Sequence, residues 1–212
     1  RHEPLMSRYP EFDPARIHPR PARDRSTKVG ISGLAGRVDP ADASLLHKLP
    51  DVLAAASLRS VIAATGKAAR AGKPIILMIG GHVVKTGCSP VLIQLMEEGI
   101  IRAVAMNGAT AIHDFELATF GSTSEDVEST LDAGTFGMSQ ETAATMNAIT
   151  GEARDLGLGL GEALGRHLAG APNAGVSILA GAYRLSVPAT VHVALGTDVL
   201  HQHPSADGAA IG

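Results

Sequence analysis

Three short stretches hold the side chains of this chain that could do chemistry. The first is Gly80-Gly81-His82, followed by Lys85-Thr86-Gly87. Glycine lets a backbone approach a ligand closely, and the free N–H groups at the start of a following helix favour a phosphate. The stretch is neither GxGxxG nor a Walker loop, so a tight strand–helix turn without a ligand explains it equally well. The second is Asn107-Gly108, followed by His113, Asp114 and Glu116. A histidine beside two acids at the end of a strand can exchange protons near neutral pH or bind ribose hydroxyls. A surface helix with routine charges is the plainer alternative. The third is His192, Asp198, His201, His203 and Asp207. His-x-His with nearby Asp supplies ligands suited to zinc or a similar ion, His201, His203 and Asp207 foremost, though the spacing is loose and no cysteine joins it. His192 on its own reads as a core histidine of a strand. Cys88 opens a helix, where a thiol pKa can fall, but a small buried residue is the commoner role.

The elements around these stretches bring them together. Residues 73–81, KPIILMIGG, are a short apolar run ending in the glycine pair, and His82 to Gly87 read as a polar turn. SPVLIQLMEEG has helical spacing, with Pro90 in its first turn and Gly99 as a stop. Ile101–Met106 is a second strand, and Ala111–Thr119 a helix. Val187–Leu195 is a third strand, leading into a polar, His-rich loop. Right-handed crossovers put the loops after parallel strands on one edge of the sheet, and ligands of open α/β sheets bind at that edge. Elsewhere, Asp51–Ala71 reads as an amphipathic helix closed by Gly72, and Pro40 to His47 as a short helix. Ser122–Glu128 reads as a helix start and Asp132–Gly137 as a loop. Glu141–Gly170 reads as a helical stretch weakened by Gly157, Gly159 and Gly161, and Ala174–Ala182 as strand or helix.

The chain's 212 residues suffice for one large α/β domain. Aromatics are 3% and Trp is absent, so the core must be built from Ala, Val, Ile and Leu. A net charge of -3 gives no footprint for nucleic acid. Arg16, Arg20, Arg23, Arg25 and Lys28, interspersed with prolines, make residues 1–28 an extended arm that packs on a neighbouring subunit or domain, or binds an anionic partner. One cysteine excludes a disulfide framework and points to a reducing, cytoplasmic compartment. No apolar run is long enough to span a bilayer. Residues 29–212 read as a single α/β domain whose C-terminal part lies beyond Gly212.

Residues 74–117 resemble the central segment of deoxyhypusine synthases, without gaps. The family's strand, Thr-Ser-Asn turn, Ser-Ser-Gly and helix fall on Ile75–Ile79, Gly80–His82, Lys85–Gly87 and Ser89–Glu98. Its Thr-Ala-Gly-Gly and Glu-Glu-Asp fall on Asn107–Thr110 and Ile112–Asp114. Its Pro-Ala-Leu-Thr-Asp-Gly-Ser turn is similar to residues 204–209, matched at Asp207-Gly208. The resemblance implies a Rossmann-like open parallel sheet with helices on both faces. It also implies a homotetramer that uses NAD to oxidise spermidine or a related amine, and passes the aminobutyl group through an imine to a protein acceptor. The NAD contacts it implies are Gly80, Gly81, His82, Thr86, Asn107, Gly108, Asp114 and Asp207. His113, Asp114 and Glu116 become the catalytic candidates, and Asp198, His201 and His203 the substrate-binding ones. Two departures stand out: Ile112 and His113 replace the family's two glutamates, and no counterpart of its Trp-Gly-Lys motif occurs. A metal-dependent hydrolase or lyase, and a non-catalytic oligomeric member, are the competing readings.

Overall fold

The computed structural model describes residues 48–124 and 139–212. The chain divides into two compact units, Arg1–Ala64 and Thr65–Gly212. The expected arm and the helix at residues 40–47 lie outside the described residues, as do the loop at 132–137 and most of the helix start at 122–128. Helix α1 (Leu53–Arg70) runs across the boundary between the units. Lys67 and Arg70 in its last turn suit the negative end of the helix dipole, and Gly72 follows in the left-handed region at φ 63°. None of its residues is buried.

The second unit is an α/β fold around a three-stranded parallel sheet of order β1-β2-β3: β1 (Ile75–Ile79), β2 (Ile101–Asn107) and β3 (Ala189–His192). The β1–β2 crossover holds two helices rather than one. Residues 82–87, expected as a turn, contain the short helix α2 (Gly81–Lys85), and α3 (Ser89–Glu97) follows with proline in its first turn. Helix α4 (Gly108–Phe120) starts directly off β2. Asn107 caps it, its side chain accepting from Thr110 N–H at 3.0 Å. Gly121, at φ 73°, ends it.

The helical stretch 141–170 breaks at its glycines into α5 (Gln140–Leu156) and α6 (Leu160–Leu168), with Gly157 left-handed at φ 66°. Residues 174–182 are helical: a 3-10 turn (Ala174–Val176), then α7 (Ile178–Arg184). After β3 come a 3-10 turn (Val199–Gln202) and α8 (Gly208–Ile211).

The core packs on one face of the sheet, through Leu77, Ile79, Val104, Met106 and Val191 against residues such as Phe115, Leu164 and Leu179. The other face presents Ile76 and Met78, 64% and 80% exposed, with Thr190 and His192. Among the described residues, helices cover one face of the sheet, where cover on both was expected. Strands added in one direction by right-handed crossovers place every connecting helix on the same side. His192 is corrected likewise. It stands on the exposed face, its Nε2 hydrogen-bonded with Thr190 Oγ1 at 2.9 Å, and it is not in the core.

Candidate functional site

The loops after β1, β2 and β3 meet at the carboxyl edge of the sheet. His113 of α4 lies over Gly81, where an added Cβ would come within 3.0 Å of the imidazole Cδ2. Gly108, the first residue of α4, lies against Asp198, and a Cβ there would overlap Asp198 Oδ2. These two glycines are small because two side chains of the site occupy the space in front of them. Between α4, the start of α5 and the loop after β3 is a cavity of about 220 Å³, with His113, Glu116, Thr142 and Asp198 among its polar walls and Ile112 and Leu200 among the apolar ones. It is smaller than the roughly 300–1,000 Å³ typical of drug-sized ligand pockets, so it suits a small molecule or one end of a longer one. A larger cavity of about 460 Å³ lies beside the start of β3, but among the described residues Glu162 and Tyr183 are its only ionisable groups.

The polar walls are tied together. Thr123 Oγ1 donates to Glu116 Oε2 and is 2.7 Å from His113 Nδ1. Thr142 Oγ1 donates to Glu116 Oε1 at 3.2 Å and pairs with Ser139 Oγ at 2.9 Å. Neither Thr123 nor Thr142 is marked by any sequence motif. Burial lowers the pKa of His113 below its ordinary 6.5; Glu116 opposes this, and Lys85 and His82 of α2 reinforce it. The imidazole is thus held neutral at neutral pH. Asp198 Oδ2 is buried and has no hydrogen-bond partner among the described residues. A buried carboxylate oxygen left unpaired is costly, and it marks a place where a donor group of a ligand would be welcome.

The other expected site residues are placed elsewhere. Asp114 is fully buried and does not reach the cavity. Its carboxylate accepts from Ser177 Oγ at 2.7 Å, Ile178 N–H at 2.7 Å and Leu179 N–H at 3.0 Å, closing the N-terminus of α7. Burial pushes its pKa up and the three donors pull it back. Its role is structural, which corrects its assignment to catalysis and cofactor binding. Asp207 caps α8 through Ala209 N–H and pairs with Arg154 Nη1 at 2.7 Å. Asn107 is committed to its cap, and Thr86 Oγ1 donates to His82 O within its own turn.

Of the eight residues expected to hold NAD, Gly80, Gly81, His82, Asn107 and Gly108 thus lie at the adjoining ends of β1 and β2, whereas Asp114 and Asp207 are engaged elsewhere. The Asp198 carboxylate stands at the first turn of α4, against Gly108. His201 Nδ1 accepts from Gly196 N–H and His203 Nδ1 pairs with Ser205. Among the described residues, no three His, Cys, Asp or Glu side chains come together to hold a metal ion, so the His201, His203 and Asp207 alternative is not assembled. Cys88 is exposed, not buried. No helix among the described residues is long and apolar enough to cross a membrane. In comparisons with known proteins, no family model matches this chain, and no curated protein matches its sequence.

Proposed function

We propose that this chain is an enzyme acting on a small cationic amine, with His113 as general base and Asp198 as the anchor for the amine's charge. The observation that carries the reading is the pairing, on the walls of one cavity, of a neutral imidazole with the Asp198 carboxylate, one of whose oxygens, buried against Gly108, lacks a partner among the described residues. An ammonium group donates to carboxylates and has no acceptor of its own. Asp198 and Glu116 would hold it, and the apolar walls Ile112 and Leu200 would line its carbon chain. His113 would then take one proton: an N–H bond of the ammonium breaks, its electron pair stays on nitrogen, and the amine is left nucleophilic.

The resemblance to deoxyhypusine synthases supports spermidine or a related amine as substrate, a lysine-bearing protein as acceptor, and a homotetramer as the working form. It also favours a Rossmann-like sheet that would continue beyond the three strands described. The NAD of that family is left out of this proposal, because two of the contacts the resemblance implies for it, Asp114 and Asp207, are committed to helix N-termini. The test is isothermal titration of the full chain with spermidine and, separately, with NAD. Saturable binding of spermidine without NAD is expected, weakened at least tenfold in Asp198→Asn. Absence of spermidine binding would overturn the amine reading, and saturable NAD binding would restore the dinucleotide.

A further inference from the structure

We infer that Thr123 is a positioning residue: it fixes His113 as the Nδ1–H tautomer and so leaves the lone pair on Nε2. The assignment follows from counting protons along the hydrogen-bonded chain at the cavity wall. A carboxylate only accepts, and a hydroxyl has one proton to give. Glu116 receives the Thr123 proton at Oε2 and the Thr142 proton at Oε1. Having spent its proton, Thr142 accepts from Ser139. Thr123, having spent its own, can only accept from His113 Nδ1, 2.7 Å away. The chain thus runs in one sense from each end, Ser139 to Thr142 to Glu116, and His113 to Thr123 to Glu116. No orientation of the two threonines that keeps both bonds to Glu116 allows the other tautomer.

The consequence lies at the other ring nitrogen. Nε2 has no hydrogen-bond partner among the described residues, and it faces Gly81, where an added Cβ would sit 3.5 Å from it. A small residue at position 81 keeps that nitrogen clear. When Nε2 accepts a proton, the imidazolium it forms is still bonded through Nδ1–H to Thr123, and the Glu116 carboxylate faces it across one hydroxyl. The second bond of Glu116, to Thr142 on α5, keeps the carboxylate from turning away. Such an outer partner sets which nitrogen of a histidine is basic. The inference rests on His113 as the base of the proposed function, but not on any substrate.

Long-range ¹H–¹⁵N NMR of the imidazoles in the full chain, at about pH 8 where a histidine is neutral, reads the tautomer directly. Wild-type His113 is expected to show a protonated Nδ1 and a bare Nε2. Thr123→Ser is expected to keep that signature. Thr123→Val, which removes the acceptor, should move His113 toward the Nε2–H form and lower turnover about tenfold or more. A wild-type spectrum with protonated Nε2, or a Thr123→Val spectrum unchanged from wild type, would overturn the inference. Should Thr123→Val not fold, the wild-type and Thr123→Ser spectra still decide it. Failure of spermidine to bind, with the tautomer as expected, would remove the amine reading and leave Thr123 in its role.

Discussion

Asp114 and Asp198 each bring a carboxylate to the first turn of a helix, and the two junctions differ in what the carboxylate finds there. At the α4–α7 junction Asp114 accepts one hydroxyl and two backbone N–H groups, all within 3.0 Å, and is closed off from solvent. At the junction of α4 with the third loop, Asp198 lines a cavity and keeps one oxygen, buried against Gly108, without a partner among the described residues. A satisfied buried carboxylate is joinery. An unsatisfied one beside an open space is a place where binding energy can be gained, because the ligand supplies the missing donor. The same helix, α4, thus serves structure through one face and the candidate site through another.

The sharpest test of that contrast is Asp114→Ala. It strands three donors in the core, each costing about 1–3 kcal/mol when unpaired, so a loss of about 3 kcal/mol or more in chemical denaturation is expected. Asp114→Asn, which keeps the shape but puts an amide against donors, should lose less. If Asp114→Ala retains wild-type stability and loses only activity, the separation of the two junctions fails.

Next in size is His113→Ala. Loss of a general base lowers rate by about 100-fold or more, and the cavity wall tolerates the change, so the fold should persist. A variant with an unchanged melting transition and near wild-type turnover would make His113 structural too, and the two faces of α4 would no longer divide the work.

Asp198→Asn is a smaller change with an opposite signature. Removing a charge that has no partner should leave stability unchanged within about 1 kcal/mol, or raise it slightly, while weakening spermidine binding. Stability that falls as it does for Asp114→Ala would show that Asp198 is satisfied in solution and has no free oxygen to offer.

The sequence carried more of this division than its motifs suggest. Ala111, Asp114, Phe115 and Ala118 recur at i, i+3, i+4 and i+7, and all four are buried. That stripe is the core face of a helix, so the position of Asp114 within it already assigned the residue inward. Reading His113-Asp114 as one unit ignored the rotation of about 100° per residue that sends them to different faces. The strands, the break at Gly157–Gly159 and the meeting of three loops at one edge were legible from apolar runs and turn residues.

Thr123 and Thr142 were not legible. Each matters through one contact with Glu116 made across the fold, and a threonine without a local pattern gives no signal of it. The bare face of the sheet was hidden for a related reason. Ile76 and Met78 look like core residues, since exposure of a strand face depends on which side the crossovers run, and an apolar run does not encode that. His82–Lys85 differ too: a polar string between Gly81 and Gly87 reads as a turn, yet a short helix spans that gap and brings Lys85 and His82 near enough to lower the pKa of His113.

The smallest effect expected, and the most diagnostic of how the site is tuned, is the pH response of His113. Burial lowers its pKa in the folded chain below 6.5, and Glu116 is the one neighbour that raises it. The base is the neutral imidazole, so activity should be full at neutral pH and fall as pH drops through the lowered, folded value. Glu116→Gln removes the raising charge, so the midpoint should move further down. Lys85→Gln removes a charge that lowers it, so the midpoint should move up. Stability follows the same sign. With the folded pKa below the unfolded one, the unfolded chain binds more protons between the two values, and stability falls as pH drops through that window. Glu116→Gln widens the window on its acid side. NMR titration of the His113 ring reads the midpoints directly. A midpoint that rises in Glu116→Gln would mean that Glu116 acts on His113 through its hydrogen-bond chain and packing, and that its charge is not what sets the proton affinity of the base.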